Sequence, residues 1–332
     1  MPYPIDEKFV IAVASSALFD LTESDRVFRE QGPDAYRAFQ REREAEVLGP
    51  GVAFPLIRRL LALNQYFDDA PVEVVLLSRN DPDTGLRVFN SIASRKVDIS
   101  RAAFVRGRDP FRYAAAFNAS LFLSANAEDV RMALEREMPA GRVFGSDFID
   151  DETEAELRIA FDFDGVIVDD SAEKVFREGQ LEMFHKSERE KADQPMSVGP
   201  LHKFFSGIAQ LQRREREKEA KEKGYEPRVR TAIVTARNAP AHERVVKTLR
   251  DWGIEVDEAF FLGGIEKSRI LQEFRPHIFF DDQLVHVEDA ARVAPSVHVP
   301  FGVANSHPPD SGPADRHDDG NGNPPKADES ED

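Results

Sequence analysis

The sequence predicts an α/β protein built from two similar parallel-sheet domains, and three observations lead to this prediction. Its 332 residues suit two domains of about 150 residues each, and a hydrophobic content of 41% allows each domain a core. Short apolar runs alternate with helical patterns, which is typical of parallel strands joined by helical crossovers. Segments of the first half also recur in the second half in the same order, which indicates a duplicated domain.

The repeated segments begin with the first predicted strand of each half and keep a nearly constant spacing. They pair residues 11–20 with 159–168, 74–80 with 232–238, 103–107 with 260–264, and 121–125 with 278–282. The two copies differ in their chemistry. The second half has Asp162, Asp164, Lys267, Asp281 and Asp282 where the first half has Ala14, Ser16, Pro110, Ser124 and Ala125. The first half is therefore predicted to be a degenerate, non-catalytic copy.

Apolar runs give the predicted strands in chain order. In the first half they are residues 9–14, 72–77, 102–105 and 119–123, and in the second half 157–163, 230–235, 258–262 and 277–280. Helical patterns follow at 241–252 and 267–274. The predicted boundaries are a first domain at 1–146, an acidic linker at 147–156 and a catalytic domain at 157–305. That domain has a helical cap insertion at about 170–228, and the acidic tail 306–332 is expected to be disordered.

Composition excludes several function classes. The net charge of −17 argues against duplex nucleic acid as a partner, because phosphate backbones need concentrated lysine and arginine. The absence of cysteine excludes disulfides and thiolate metal sites. The N-terminus lacks a signal-peptide pattern, and no apolar run reaches the roughly 18 residues of a membrane helix. We therefore expect a cytoplasmic protein without a membrane partner, and whether it forms a homo-oligomer stays open.

Two pairs of carboxylates follow predicted strands of the second half. Asp162 and Asp164 come after the apolar run 157–161, and Asp281 and Asp282 come after 277–280. Ligands bind at the carboxyl ends of the strands in an open parallel sheet. Buried carboxylates without a cation would repel each other, whereas oxygen ligands of this kind suit Mg²⁺. The pattern therefore predicts a magnesium site.

A hydroxyl and a lysine complete the predicted site. Thr235 ends another predicted strand, and Lys267 begins a helix after the turn Gly263-Gly264. Together with helix N-terminal amides, such groups form a phosphate cradle. Each residue alone is more often structural, but their order at successive strand ends predicts phosphoryl transfer.

These motifs resemble those of the haloacid dehalogenase superfamily of phosphotransferases. The residues concerned are Asp162-Phe-Asp-Gly-Val166, Thr235, Lys267 and Asp281-Asp282. Over about residues 5–305 the chain is similar to the cytosolic 5′-nucleotidases of type I, which prefer AMP. The segments 77–89, 237–245, 260–264 and 279–286 carry this similarity. The family's first motif usually reads Asp-Gly-Asp-Ala-Val, so Phe163 is a departure that bears on substrate preference.

The resemblance implies two Rossmann-like domains and a Mg²⁺-dependent hydrolysis of nucleoside monophosphates through an aspartyl-phosphate. By motif, Asp162 is the nucleophile and Asp164 the general acid and base. The metal ligands implied are Asp162, Asp281 and the backbone carbonyl of Asp164, with Asp282 in a supporting position. Contacts to phosphate or substrate are assigned to Phe163, Thr235, Ala236, Arg237 and Lys267.

Several assignments keep an alternative. Phe184, His185, Phe204 and Phe205 are expected either to contact the base or to form the core of the cap. Arg237 either reaches the substrate or forms a structural salt bridge. For His242 and His286, packing or a supporting role is favoured over ligation. The charged run 213–223 is interpreted as a solvated helix face rather than an anion-binding arm.

The first half also has two interpretations. It is either a packing partner or a retained nucleotide effector site, for which Ser15, Ser16, Ser78, Arg79 and Arg106 are the candidates. The whole chain has two alternative functions: a phosphatase of another small phosphate ester, or a nucleotide-sensing scaffold. The intact carboxylates of the second half argue against the scaffold.

Overall fold

The computed structural model describes residues 3–305, apart from the side chains of residues 173–182 and 304. The predicted disordered tail, 306–332, lies outside the described residues. Within this range the prediction of an α/β protein with a mainly parallel sheet is confirmed. The predicted strands all occur, with ends shifted by one or two residues.

All the strands belong to one ten-stranded sheet with the order β3-β2-β1-β4-β5-β10-β9-β6-β7-β8. The strands are β1 (Phe9–Val13), β2 (Val72–Ser78), β3 (Arg101–Phe104), β4 (Leu121–Ser124), β5 (Ala140–Phe144), β6 (Leu157–Phe161), β7 (Val229–Thr235), β8 (Glu258–Phe261), β9 (Ile278–Asp281) and β10 (Ser296–His298). The five strands of each half have the same relative order and are parallel to their neighbours. The halves meet where β5 pairs with β10 in antiparallel fashion.

Helices cover both faces of this sheet. They are α1 (Ser15–Leu18), α2 (Thr22–Glu42), α3 (Phe54–Ala62), α4 (Leu86–Ser94), α5 (Ala127–Leu134), α6 (Ser171–Glu190), α7 (His202–Lys221), α8 (His242–Asp251), α9 (Lys267–Phe274) and α10 (Leu284–Ala290). Short 3-10 helices lie at Ile5–Glu7, Leu63–Tyr66, Pro110–Tyr113, Ala115–Phe117 and Val303–Asn305. Helix α2 is kinked at Gly32, which has a φ of 83° and precedes a proline. In each half, long helices occupy the connection between the first and second strands.

Helix α7 contacts both halves of the chain. The Phe204 ring stacks on Phe9 of β1 at 5.7 Å and packs against Phe280 of β9 at 5.5 Å. Lys203 donates to the carbonyl of Ala119 at 3.1 Å, and Arg214 pairs with Asp69 at 2.6 Å. Contacts along both ends of α7 thus fix the two halves against each other.

The linker segment 147–156 is also held to the first half. Arg59 of α3 is buried, and its guanidinium pairs with Asp150 at 2.7 Å and donates to the carbonyl of Asp151 at 2.8 Å. Removing one partner of a buried ion pair is strongly destabilising, because it leaves the other charge uncompensated. The linker is therefore also held to helix α3 of the first half.

The pairing of β5 with β10 brings the strand ends of the two halves into one row. In register across four adjacent strands lie Ser124, Arg142, His298 and Asp281. Neighbouring strands are about 4.8 Å apart, so Ser124 and Asp281 are separated by roughly 15 Å. The carboxyl end of β4 in the first half is therefore close to the carboxyl end of β9 in the second.

Candidate active site

Three buried carboxylates meet at the ends of β6 and β9. Asp162 follows β6 directly, and its backbone N–H donates to the carbonyl of Phe280 on β9 at 2.7 Å. Asp162, Asp281 and Asp282 are each at most 4% exposed and place oxygen atoms within 4.8 Å of one another. The neighbouring parallel strands thus bring together residues that are more than a hundred positions apart in sequence.

Gly165 allows the chain to turn tightly beside these carboxylates. Its φ of +73° lies in the left-handed region that disfavours other residues. A Cβ at this position would lie 2.5 Å from Oδ2 of Asp282. Both the backbone conformation and the close approach therefore require glycine.

Lys267 bridges two of the carboxylates. Its Nζ lies 2.6 Å from Oδ2 of Asp281 and 2.9 Å from Oδ2 of Asp162. Burial alone would lower the pKa of Lys267, but the two carboxylates raise it above its usual value. The lysine is positioned at the start of α9, after Gly263 and Gly264, which both have positive φ. It is therefore a buried ammonium group held at the strand ends.

The two bridged carboxylates differ in their pKa. Burial, reinforced by the neighbouring Asp281 and Asp164, raises the pKa of Asp162 to about 7 against the opposing effect of Lys267. Burial would also raise the pKa of Asp281, but Lys267 and His286 lower it below its usual value. The Nδ1 atom of His286 lies 3.4 Å from Oδ1 of Asp281. This contact agrees with the supporting role expected for His286.

The donor set fits a hard divalent cation. Its atoms are carboxylate oxygens, which Mg²⁺ prefers as protein ligands. The raised pKa of Asp162 indicates that ionising all the carboxylates here is unfavourable without a further cation. A divalent ion held by Asp162, Asp281 and Asp282 would remove this cost. Asp282 is thus close enough to serve as a ligand rather than only as a support.

The carboxylate of Asp164 points to a different partner. Arg237 donates to both of its oxygens, from Nε to Oδ2 and from Nη2 to Oδ1, each at 2.7 Å. The Nη1 atom of Arg237 also pairs with Glu188 of α6. Glu188 in turn pairs with Arg244 of α8 at 2.9 Å. These four residues, which we call the ion-pair chain, connect the end of β6 to α6 and α8.

The remaining phosphate candidates line the end of β7. Thr235 is buried, and its Oγ1 accepts the backbone N–H of Arg237 at 3.2 Å. Ala236 between them is exposed, so its backbone is open to a ligand. His185 lies at the rim of the site, where its Nε2 is 3.2 Å from Oδ1 of Asn238. The interpretation of Arg237 as a salt-bridge residue matches the contacts in this structure.

The aromatic candidates are buried in this structure. Phe205 is 1% exposed and packs against Phe161 at 5.1 Å, and Phe204 is fully buried. Both side chains therefore lie in the core, which is one of the two alternatives that the sequence left for Phe204 and Phe205. Phe184 is also buried, 5.5 Å from the guanidinium of Arg237, and the Phe163 ring is fully buried 5.8 Å from it.

The candidates of the first half are placed at equivalent strand ends but make different contacts. Ser15 and Ser78 hydrogen-bond each other at 3.0 Å. Arg79 pairs with Asp129 through two nitrogen atoms and lies near Asp109. Arg106 is 76% exposed, 3.9 Å from Asp81. Ser16 accepts the backbone N–H of Ala125 at 3.4 Å.

Two residues of the ion-pair chain were not predicted from the sequence. Glu188 belongs to a highly charged helix, where one glutamate has no distinguishing pattern. Arg244 lies within the segment 237–245 that carries the family resemblance, so its position gave a weak signal. His242, interpreted as a packing residue, has its ring 5.8 Å from Phe261.

Comparisons with known proteins identify the family of the chain. None of the helices in residues 3–305 is both long and apolar enough to cross a membrane. No solved structure matches the chain. Human (Homo sapiens) cytosolic 5′-nucleotidase 1B is 34% identical over 301 residues, which cover 88% of this chain and 49% of the relative, so the chain spans about half its length. A family model described as 5′-nucleotidase matches residues 1–306. The chain therefore belongs to the 5′-nucleotidase family, as the resemblance of its motifs predicted.

Proposed function

We propose that the protein is a Mg²⁺-dependent 5′-nucleotidase that hydrolyses nucleoside 5′-monophosphates, with AMP as the first substrate to test. The observation that carries this proposal is the buried cluster of Asp162, Asp281 and Asp282 bridged by Lys267. The family match supports a phosphoric monoester hydrolase. The name of the human relative supports nucleotides as substrates and the cytosol as the location.

The chemistry begins at Asp162. One of its oxygens attacks phosphorus, an Oδ–P bond forms, and the bond from phosphorus to the 5′ oxygen breaks. A bound divalent cation would neutralise charge so that an anionic nucleophile can approach an anionic phosphate. Lys267, Thr235 and the exposed backbone of Ala236 hold the remaining phosphate oxygens. Water then attacks phosphorus, a new P–O bond forms, and the Oδ–P bond breaks, which releases phosphate and restores the Asp162 carboxylate.

Asp164 moves the protons in both steps. It donates a proton to the leaving 5′ oxygen and later takes one from the attacking water, which restores its starting state. Both of its oxygens accept hydrogen bonds from Arg237. Each carboxyl oxygen has two lone pairs, so one oxygen can carry the proton while it accepts a hydrogen bond from Arg237. Arg237 acts as a positioning residue that holds the carboxylate at the end of β6.

We further propose that helix α6 forms a cap over the strand ends of the second half. Glu188 of α6 reaches Arg237, and His185 of the same helix reaches Asn238, so α6 contacts the site from above the sheet. Such a cover would exclude water from the phosphorylated intermediate. The equal strand order of the two halves supports the proposal that they arose by duplication.

A phosphate-release assay tests the function. Wild-type protein should release phosphate from AMP with Mg²⁺, should lose activity in EDTA and should regain it when Mg²⁺ is added back. Asp162→Asn should be inactive with an unchanged circular dichroism spectrum, because an amide cannot attack phosphorus. Asp281→Ala should lose activity and Mg²⁺ response together.

The substrate panel should include other nucleoside monophosphates and sugar phosphates. A preference for a sugar phosphate would reassign the enzyme to another phosphate ester on the same scaffold. Full activity in EDTA after dialysis, or turnover by Asp162→Asn, would contradict the proposed mechanism.

A further inference from the structure

The first half contains a cavity of about 660 Å³ at the carboxyl ends of its own strands. A second cavity of about 840 Å³ adjoins it under the kinked helix α2 and shares several of its lining residues. Volumes of this size are typical of sites for small molecules. The mechanism proposed above uses neither cavity.

Arg142 of β5 presents a cation to this cavity. It is half-buried and lines the cavity beside Ser124, its partner in register on β4. Among the described side chains no carboxylate pairs with its guanidinium, which lies 4.9 Å from the centre of the Phe144 ring. Arg79, by contrast, is neutralised by Asp129. A half-buried guanidinium without a carboxylate partner favours an anionic ligand, because planar N–H pairs bind phosphate well.

Two hydroxyl groups next to Arg142 can donate to the same anion. Ser124 accepts the backbone N–H of Asn126 at 3.1 Å, and Ser16 accepts that of Ala125 at 3.4 Å. In the described part of the chain neither hydroxyl has an acceptor for its own proton. Both residues line the cavity. An arginine and two hydroxyl donors therefore converge where the second half has its carboxylates.

The other end of the cavity is suited to a base. Phe28 is 46% exposed, and its ring lies 5.7 Å from that of Tyr36, at nearly a right angle. Tyr36 donates to Oδ1 of Asn80 at 2.9 Å, while Nδ2 of Asn80 is buried without a hydrogen-bond partner in residues 3–305. An exposed aromatic face and an unused amide donor are features that recognise a heterocyclic base.

We propose that this cavity is a second, non-catalytic site that binds a nucleoside phosphate, with the phosphate at Arg142 and the base at Phe28. The missing carboxylates and lysine prevent hydrolysis there. Asp25 lines both cavities and can accept a hydrogen bond from a ribose hydroxyl or an exocyclic amine. The proposal goes beyond the proposed activity of the second half and does not depend on turnover.

Hydrogen–deuterium exchange on the full chain carrying Asp162→Asn tests the site, because AMP then binds without being consumed. AMP should protect amides of the first half around residues 124–142 and 25–37. Adding Arg142→Met should weaken this protection about tenfold or more in AMP concentration, since it removes a charged hydrogen-bond donor. Protection near 278–283 should be unaffected.

Two further variants define the ends of the site. Phe28→Ala should weaken the binding of AMP and adenosine but not that of inorganic phosphate. Arg112→Met is the matched control, since Arg112 is an exposed arginine of the first half that lines neither cavity. It should bind AMP as the parent protein does.

Three results would overturn the proposal. They are AMP protection confined to the second half, first-half protection that survives Arg142→Met, and phosphate binding as tightly as AMP with no effect of Phe28→Ala. The last result would indicate a simple anion site. Wild-type turnover of AMP is measured separately, so failure of the proposed function would leave this test unchanged.

Discussion

Replacing Arg237 should lower both the stability of the protein and its kcat, whereas replacing Arg244, at the other end of the ion-pair chain, should lower stability alone. The side chain of Arg237 is 3% exposed and holds Asp164 through two 2.7 Å hydrogen bonds as well as Glu188. Truncating one partner of a buried ion pair costs about 3–5 kcal/mol, because it leaves an uncompensated charge. Glu188 would still have Arg244 at 2.9 Å, and Asp164 is 21% exposed. We therefore expect Arg237→Met to lower the free energy of unfolding by about 3 kcal/mol.

The catalytic effect follows from the two hydrogen bonds to Asp164. General acid–base catalysis contributes about 10²–10⁴ in rate, and a misoriented carboxylate loses part of it. We expect Arg237→Met to lower kcat for AMP by about tenfold to a hundredfold. The loss should be smaller for p-nitrophenyl phosphate, whose leaving group needs little protonation. Asp164→Asn should show the same dependence on the leaving group.

Arg244→Met provides the matched control. It removes the other arginine from Glu188 while leaving both hydrogen bonds between Arg237 and Asp164 in place. Its cost in unfolding free energy should be similar, at about 2–3 kcal/mol, and its kcat should stay within about twofold of wild type. Urea denaturation and steady-state kinetics on both substrates measure these effects. Equal losses of kcat in the two variants would refute a positioning role for Arg237.

Two further predictions concern the tight turn at Gly165 and the buried His277. Gly165→Ala should lower Mg²⁺-dependent activity at least about tenfold, because its Cβ would lie 2.5 Å from Asp282. Gly253→Ala is the control, since Gly253 has a similar φ of +65° but no atom within 4 Å of the added Cβ. It should cost only about 1–2 kcal/mol of unfolding free energy. Similar losses of activity in both would contradict the clash. Burial, reinforced by nearby arginines, lowers the pKa of His277 to about 3 in the folded chain. Below about pH 6.5 the histidine therefore takes up a proton in the unfolded chain but not in the folded one, so the free energy of unfolding should fall as the pH drops. The slope is at most about 1.4 kcal/mol per pH unit, and His277→Asn, which keeps an acceptor for the Arg158 N–H, should flatten it between about pH 6.5 and 5. An unchanged slope would exclude His277 as its source.

The strands that could be predicted are those whose burial is visible in their composition. Strand β2 is buried along its whole length and reads as a nearly continuous apolar run, as parallel strands covered on both faces do. Strands β5 and β10 were not predicted. Strand β5 contains Gly141 and Arg142, and β10 has only three residues. Both are stabilised by their antiparallel pairing with each other, where the two halves meet. Each would otherwise be an exposed edge of its own half. The join between the halves therefore depends on tertiary contacts that no local pattern encodes.

In the candidate site, too, local patterns predicted some residues, while others depend on tertiary contacts. Asp162 and Lys267 were predicted because their chemistry coincides with strand ends and turns that the sequence marks. Glu188 was not, because its role depends on α6 crossing the end of β7, more than forty residues later in the chain. For Phe205 the sequence left two alternatives, because an aromatic residue in a cap segment has the same local pattern whether it faces the substrate or the core, and the structure places it in the core.

The register of the β5–β10 pairing sets the distance between the first-half cavity and the carboxylate cluster, and so limits how strongly a ligand at one can affect binding at the other. A charged ligand at Arg142 would lie roughly 10–15 Å from Asp281, where two unit charges interact by about 1–2 kcal/mol at an effective dielectric constant near 20. Salt screens interactions over about 8–10 Å, so the effect through space would change metal affinity only severalfold. A larger effect would require movement of β10. His298 of β10 donates to the carbonyl of Asp282 at 3.0 Å, so a shift of Arg142 that moved His298 would reach the carboxylate cluster through a direct contact. By reciprocity, metal bound at that cluster would change the affinity of the first-half cavity by the same factor.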